Sequence, residues 1–186
     1  MEQHFDDLCD ALFAALAEGE SLSISLAAES SQFTRVNGGK VRQTGAVDDI
    51  NLSLELVADN RRATSDSTLT GERETDIAAM QQELSRLRTE AALLPVDPYI
   101  VAPAAGEKSH SDQHGNIPAA ADVVGKLLPA LQGVDISGIW ASGRIYRANA
   151  NSVGSRHWFA SDSFSLDYSL VNSAEKMVKA TYAGSH

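Results

Sequence analysis

Three residues of this 186-residue chain have the spacing of metal ligands: His110, Asp112 and His114. Imidazoles at i and i+4 can share one ion when they lie on a helix, and the Asp between them could act as a third ligand. Residues 109–115 read as loop, however, and a flexible tripod must lose conformational entropy before it binds, so a solvated loop is the competing reading. Arg35, Arg42, Arg61 and Arg62 gather cations on one stretch of an otherwise acidic chain. Guanidinium groups can grip a peptide carboxylate bidentately, and they also pair with neighbouring acids on a wet sheet face. Asn149, Asn151, Ser152 and Gly154 fall together between two β-prone runs, where Asn and Gly tolerate the conformations a turn requires. In the strand after them, alternation sends Trp158 to one face and His157 with Phe159 to the other, for cross-strand packing or for contact with a peptide. Cys9 lies on an apolar helical stripe and reads as a small buried hydrophobe rather than a nucleophile. No G-x-S-x-G, G-x-G-x-x-G, P-loop or zinc-knuckle pattern occurs, and serine is too frequent for a Ser-His-Asp set to be picked from sequence.

The elements that must position these residues are legible from periodicity. Phe5, Leu8, Cys9, Leu12, Phe13 and Leu16 recur at helical spacing with Asp6, Asp7 and Asp10 between them, giving an amphipathic helix that stops near Gly19. Leu22, Ile24, Leu26 and Ala28 then alternate with Ser21, Ser23 and Ser25, the pattern of a half-buried strand. Asn37-Gly38 between β-prone runs is a strong hairpin signal, because both central residues must accept positive φ. The next strand sets Ile50, Leu52, Leu54, Leu56 and Ala58 against Asn51, Ser53 and Glu55. A second helix runs over 71–94 on Ile77, Met80, Leu84, Leu87, Ala91 and Leu94, with acids at its start and Arg86 and Arg88 toward its end, the polarity the helix dipole favours.

Residues 95–117 form an exposed loop without periodicity, of a length that is usually functional or mobile. A third helix comes next, with Asn116 as its cap and Ala120, Val124, Leu127, Leu128 and Leu131 on one face; Pro129 should kink or end it and Gly133 close it. Phe164, Leu166, Tyr168 and Leu170 alternate with Ser165, Asp167 and Ser169, and a last strand covers 176–182 with nothing after it to cover its edge. The expected fold is α+β: antiparallel meander sheets covered on one face by about three helices. Its parts are 1–94 (helix, meander, long helix), 95–117 (loop) and 118–186 (helix and second antiparallel run), within one compact unit.

A net charge of −10 and a pI near 4.8 argue against binding nucleic acid, which needs clustered Lys or Arg. The first 34 residues hold seven acids and no Lys or Arg. One cysteine excludes an internal disulfide and fits a reducing compartment. No signal-like N-terminus occurs, and no stretch approaches the roughly 20 apolar residues of a membrane span, so the expected location is the cytoplasm, away from membranes.

The order of pieces resembles the N-terminal part of the TldD/PmbA family, the "modulator of DNA gyrase" metallopeptidases. The resemblance is carried by Phe33-Thr34-Arg35-Val36-Asn37-Gly38 in the hairpin and by Asn60-Arg61-Arg62-Ala63-Thr64-Ser65-Asp66 after the next strand. It continues in Leu94-Pro95-Val96-Asp97-Pro98-Tyr99, in Asp135 to Gly138, and in Asn149-Ala150-Asn151-Ser152-Val153-Gly154. It implies the front domain of a metallopeptidase that acts on unfolded or modified peptides as a homo- or heterodimer of TldD/PmbA-type subunits. It makes Asn149, Asn151, Ser152 and Gly154 a shaped, substrate-facing turn. In the family's metal-binding subunit an H-E-x-x-x-D-x-H helix with a distal cysteine holds zinc, whereas this chain has no His-Glu pair. The resemblance therefore implies no catalytic residue and no metal ligand here, and zinc only in a full-length or partner subunit. It leaves two readings: the front of a longer enzyme, truncated before its C-terminal domain, or a non-catalytic binding and assembly module that supports an active partner. In either, the chain alone hydrolyses nothing, and its uncovered last strand and long helix lead it to self-associate.

Overall fold

The computed structural model describes residues 1–101, 103, 105–172 and 176–185; Ala102 and Ala104 of the expected loop, residues 173–175 and the terminal His186 lie outside them. The elements are α1 (Glu2–Ala14), β1 (Ser21–Asn37), β2 (Lys40–Ala58), β3 (Arg61–Thr68), α2 (Arg73–Ala91), β4 (Lys108–Gln113), α3 (Ala120–Leu131), β5 (Asp135–Asn151), β6 (Arg156–Val171) and β7 (Met177–Gly184). The strands form an open antiparallel sheet in the order β3-β2-β1-β5-β6-β4, with β7 also paired to β6, so the fold is α+β. Residues group into two compact units, each drawn from three stretches: 1–28, 49–111 and 146–159 in the first; 29–48, 112–145 and 160 onward in the second. The consecutive parts 1–94 and 118–186 thus each contribute to both units.

In the first unit the alternating rows become a core. Leu22, Ile24, Leu26 and Ala28 of β1 and Leu52, Leu54 and Leu56 of β2 are buried, with Ala148, Ala150 and Trp158 from β5 and β6. Phe5, Leu8, Cys9 and Leu12 of α1 and Met80, Leu84, Leu87 and Ala91 of α2 supply the second layer. Each buried Leu contributes roughly 1.5–3 kcal/mol relative to exposure. Trp158 packs against Phe5 and Tyr146, with ring centroids 6.3 and 5.9 Å away. The acids between the apolar positions of α1 take basic partners. Arg156 bonds Asp6 and Asp10 at 3.0 and 2.7 Å, Arg73 pairs with Asp7, and Arg88 joins Glu20 at 2.7 Å and the Ala15 carbonyl at 2.6 Å.

In the second unit the buried apolar residues, among those described, are Val36, Val123, Leu131 and Ala160. Trp140 stacks on Phe164 at 4.9 Å, and Phe164 meets Tyr182 at 5.6 Å.

Several local expectations shift. The first hairpin turns on Gly38 and Gly39 (φ 57° and 67°), one residue beyond Asn37-Gly38, because a two-residue turn of this hand needs positive φ twice. Gly39 is also required by space, since a side chain there would meet the Val134 carbonyl at 2.7 Å. Residues 108–113, expected in a loop, form β4; its six polar residues carry no strand propensity, and pairing with β6 creates it. α2 ends at Ala91, not 94, as Pro95 approaches. α3 begins after Ala119 and has no side-chain cap bond, so Asn116 is not its cap; Pro118 keeps the preceding residue extended and delays the helix. Its buried residues are Val123 and Leu131, while Leu128 of the expected face is exposed.

Candidate functional site

The face of the first unit's sheet opposite the Leu22–Ala28 row is concave. Side chains at alternate positions of β1, β2, β5, β6 and β4 line a hollow of about 450 Å³. Arg147 and Asn149 enter it from β5, His157 and Phe159 from β6, Ser109 and Ser111 from β4. Arg147 Nη1 donates to the carbonyls of Ala28 and Tyr146 at 3.3 and 2.7 Å, which fixes the guanidinium on the backbone. Ser109 Oγ and His157 Nδ1 are 2.7 Å apart. At the β2 end the polar groups are already committed: Asn51 donates to Asp49 at 2.7 Å, and Ser53 to Asp66.

Of the four residues expected in a substrate-facing turn, only Asn149 lines this hollow. The other three build the β5–β6 turn itself. Asn151 Oδ1 accepts from the amides of Val153 and Ser155 at 3.1 and 3.0 Å, and Gly154 takes φ 106°. Ser152 clips the turn to the start of β1, its amide donating to the Leu22 carbonyl at 2.9 Å and its hydroxyl accepting from the Leu22 amide at 3.2 Å. Alternation around Trp158 is as expected: Trp158 is buried, and His157 and Phe159 face the hollow. The expected arginines lie elsewhere. Arg61 Nε donates to the Leu94 carbonyl at 2.9 Å, and Arg62 stands 3.8 Å from Glu55. Arg147 was not singled out in the sequence; the signal was its place two residues before Asn149, on the same side of a strand.

One buried carboxylate braces the first unit. Asp76 is 2% exposed and accepts from the Thr70 amide and hydroxyl at 2.8 Å each, from the Gly71 amide at 2.9 Å and from His4 at 2.9 Å. Burial works to raise its carboxyl, but these hydrogen bonds prevail and hold it below the usual range. Burial pushes the Cys9 thiol up to about 12, which removes its nucleophilic form.

Of the metal-spaced residues, Asp112 and His114 lie 3.6 Å apart, while His110 has a different partner. His110 Nε2 lies 3.2 Å from Glu2 in the first unit. In the second, Asp112 pairs with Arg144, while His114 Nδ1 lies 3.3 Å from Asp162 and 3.2 Å from Arg144. Arg144 bonds Asp162 at 3.0 Å, and the Gly115 amide reaches the same carboxylate at 3.1 Å. Burial tends to raise the Asp162 carboxyl, and Arg144 and Gly115 bring it below the ordinary value.

No sequence-family profile matches the chain, and no curated protein does. Solved structures do match. TldE from Thermococcus kodakarensis superposes with a TM-score of 0.69 at 11% identity, over 97% of this chain and 42% of its own. A proposed modulator of DNA gyrase from Bacteroides thetaiotaomicron gives 0.66 at 13% identity, over 98% of this chain and 44% of its own. Another from Thermotoga maritima gives 0.62 at 12% identity, over 96% and 42%. The fold is theirs. The chain spans less than half the length of each.

The set His110, Asp112 and His114 does not suit zinc. An extended strand separates positions i and i+4 by roughly 13 Å along its axis, so β4 sets out His110 and Asp112 in a row rather than on one helical turn, and His114 lies beyond the strand's end. The guanidinium of Arg144 already occupies the space between Asp112 and Asp162 that a cation would need. Among the described residues no three His, Cys, Asp or Glu side chains are arranged to hold a metal ion. Among the described residues no helix is long and apolar enough to cross a membrane.

Proposed function

We propose that this chain is the front domain of a TldD/PmbA-type metallopeptidase acting on unfolded or modified peptides in the cytoplasm. It works as a homo- or heterodimer with a TldD/PmbA-type subunit, and zinc is held outside the residues present here. The observation that most supports this reading is the shared fold over 97% of this chain with TldE, joined to the order of the segments around Phe33, Leu94 and Asn149 in the sequence. The chain's own share is to shape the peptide cleft and the subunit contact; with no His-Glu pair it lacks the glutamate that would act as base for a metal-bound water. The test is to combine the purified chain with a zinc-bearing TldD-type subunit and follow an unstructured peptide by mass spectrometry. Co-elution and cleavage by the mixture, with no cleavage by the chain alone, are expected. Separate elution with unchanged cleavage would end this reading.

The alternative, a non-catalytic assembly module, is favoured by the same missing His-Glu pair. The coding sequence after codon 186 separates the two. An in-frame H-E-x-x-x-D-x-H makes the chain the front of the active subunit, and a long frame without it makes the chain part of the supporting one.

A further inference from the structure

The hollow on the first unit's sheet has a chemistry at odds with the rest of the chain. The protein carries 25 acids against 15 Lys and Arg, yet none of the residues lining this space is Asp or Glu. Its β5–β6–β4 end is a collection of donors. Both hydrogens of Arg147 Nη1 are spent on backbone carbonyls, and among the described residues Nη2 and Nε have no partner. The Ser109–His157 contact also leaves a donor over, whichever tautomer the ring adopts. A hydroxyl and a neutral imidazole bring two polar hydrogens between them, and the 2.7 Å contact uses one. Asn149, exposed beside Arg147, adds an amide. A fixed guanidinium edge flanked by neutral donors matches the planar, two-oxygen geometry of a carboxylate. A single fork in a chain of net charge −10 disfavours a phosphate dianion or a polyanion, which would meet long-range repulsion with one local cation to offset it.

We propose that this hollow is a carboxylate subsite for an extended peptide, with Arg147 holding the carboxylate, the Ser109–His157 pair donating to it, and Asn149 flanking it. The proposal deepens the peptide-processing reading above and rests on it for the class of ligand. The carboxylate is the peptide's own C-terminus or an acidic side chain.

NMR titration of the isotope-labelled 186-residue chain tests this with three unlabelled probes: acetyl-trialanine free acid, acetyl-trialanine amide, and acetyl-Ala-Asp-Ala amide. The free acid should bind about tenfold more tightly than its amide, shifting the signals of Arg147, Asn149 and His157. Tight binding of the Asp-containing amide points to a side chain, and its failure beside a bound free acid points to the C-terminus; both support the subsite. Arg147→Gln should abolish the preference. If that variant unfolds, Arg147→Lys should weaken the preference and Asn149→Ala should reduce it, with folding checked by retained signal dispersion. Equal binding of all three probes, or a carboxylate preference that survives these changes, overturns the subsite and leaves the peptide role standing. Binding of none of the three probes overturns the subsite and counts against the peptide role as well.

Discussion

The two units are built from the same strands, yet the same sequence signal has opposite outcomes in them. In the first, alternation along β1 and β2 yields fully buried Leu22, Ile24, Leu52, Leu54 and Leu56. In the second, an equally regular alternation along β6 leaves Leu166, Tyr168 and Leu170 half-buried, no more so than Asp167 and Ser169 between them. A period of two specifies a strand with two distinguishable faces; burial also needs a layer to lie on one of them. The first unit has that layer in α1 and α2, amphipathic helices tied down by Arg73, Arg88 and Arg156. The second buries only Val123 and Leu131 from α3. It relies on an aromatic stack and on the Arg144 cluster. Polar clusters of this exposure add little free energy beside a packed core.

The sharpest way to break this contrast is to truncate a leucine in each unit. Leu54→Ala or Leu84→Ala removes a fully buried side chain and should cost about 2–5 kcal/mol, whereas Leu166→Ala or Leu170→Ala should cost about 1 kcal/mol. Urea titrations of the four variants decide it. A loss at Leu166 as large as at Leu84 would mean that the second unit has a core of its own.

Next in size is Asp76, the buried carboxylate that holds Thr70 and Gly71 ahead of α2. Asp76→Asn should destabilise by about 1–3 kcal/mol, because an amide cannot accept as its two oxygens do. The pH dependence has a fixed sign. The folded carboxyl lies below its unfolded value, so the unfolded chain binds the proton more readily. The stabilisation is therefore complete above the ordinary carboxylate range near pH 4 and is lost as pH falls through the folded value. Urea midpoints measured from pH 7 to pH 3 should fall steeply in the wild type and less in Asp76→Asn. Parallel curves would remove Asp76 from the account.

The sequence carried the fold wherever hydrophobic period and packing agree: α1, α2 and the meander stand close to where spacing put them. It could not carry β4, because Lys108 to Gln113 is polar throughout and becomes a strand only through pairing with distant β6. The hollow was half legible. Asn149 and the His157–Phe159 face came from turn chemistry and alternation. Bringing Ser109 to His157 depended on that same unforeseen strand, and Arg147 carried no motif. Nor did the acids of α1 announce partners some 66 to 150 residues away.

A smaller effect should arise in the second unit from Arg144→Met, which removes the guanidinium between Asp112 and Asp162. At intermediate exposure the loss should be about 1–2 kcal/mol, between that of a surface pair and a buried one. Hydrogen exchange should quicken at residues 112–115 and 160–164 and stay unchanged around Leu54. Faster exchange spreading into the first unit's core would show that the units share one cooperative transition.

The finest comparison uses cysteine as a reporter. Cys9 is the chain's single cysteine and is fully buried in α1, with its thiol pushed up to about 12, so a disulfide reagent should reach it only when the first unit opens. A Cys9→Ala, Val123→Cys double variant moves the one thiol to a buried position of α3 with little change in volume. Corrected for intrinsic thiol reactivity, labelling of the second thiol should be at least about tenfold faster, the equivalent of about 1.4 kcal/mol in opening free energy. Equal rates, both rising together with urea, would mean that the two units open as one despite their unequal cores. Slow labelling of Val123→Cys beside fast labelling of Cys9 would reverse the ranking and place the weak point in α1, whose Arg73, Arg88 and Arg156 contacts would then be too exposed to hold it.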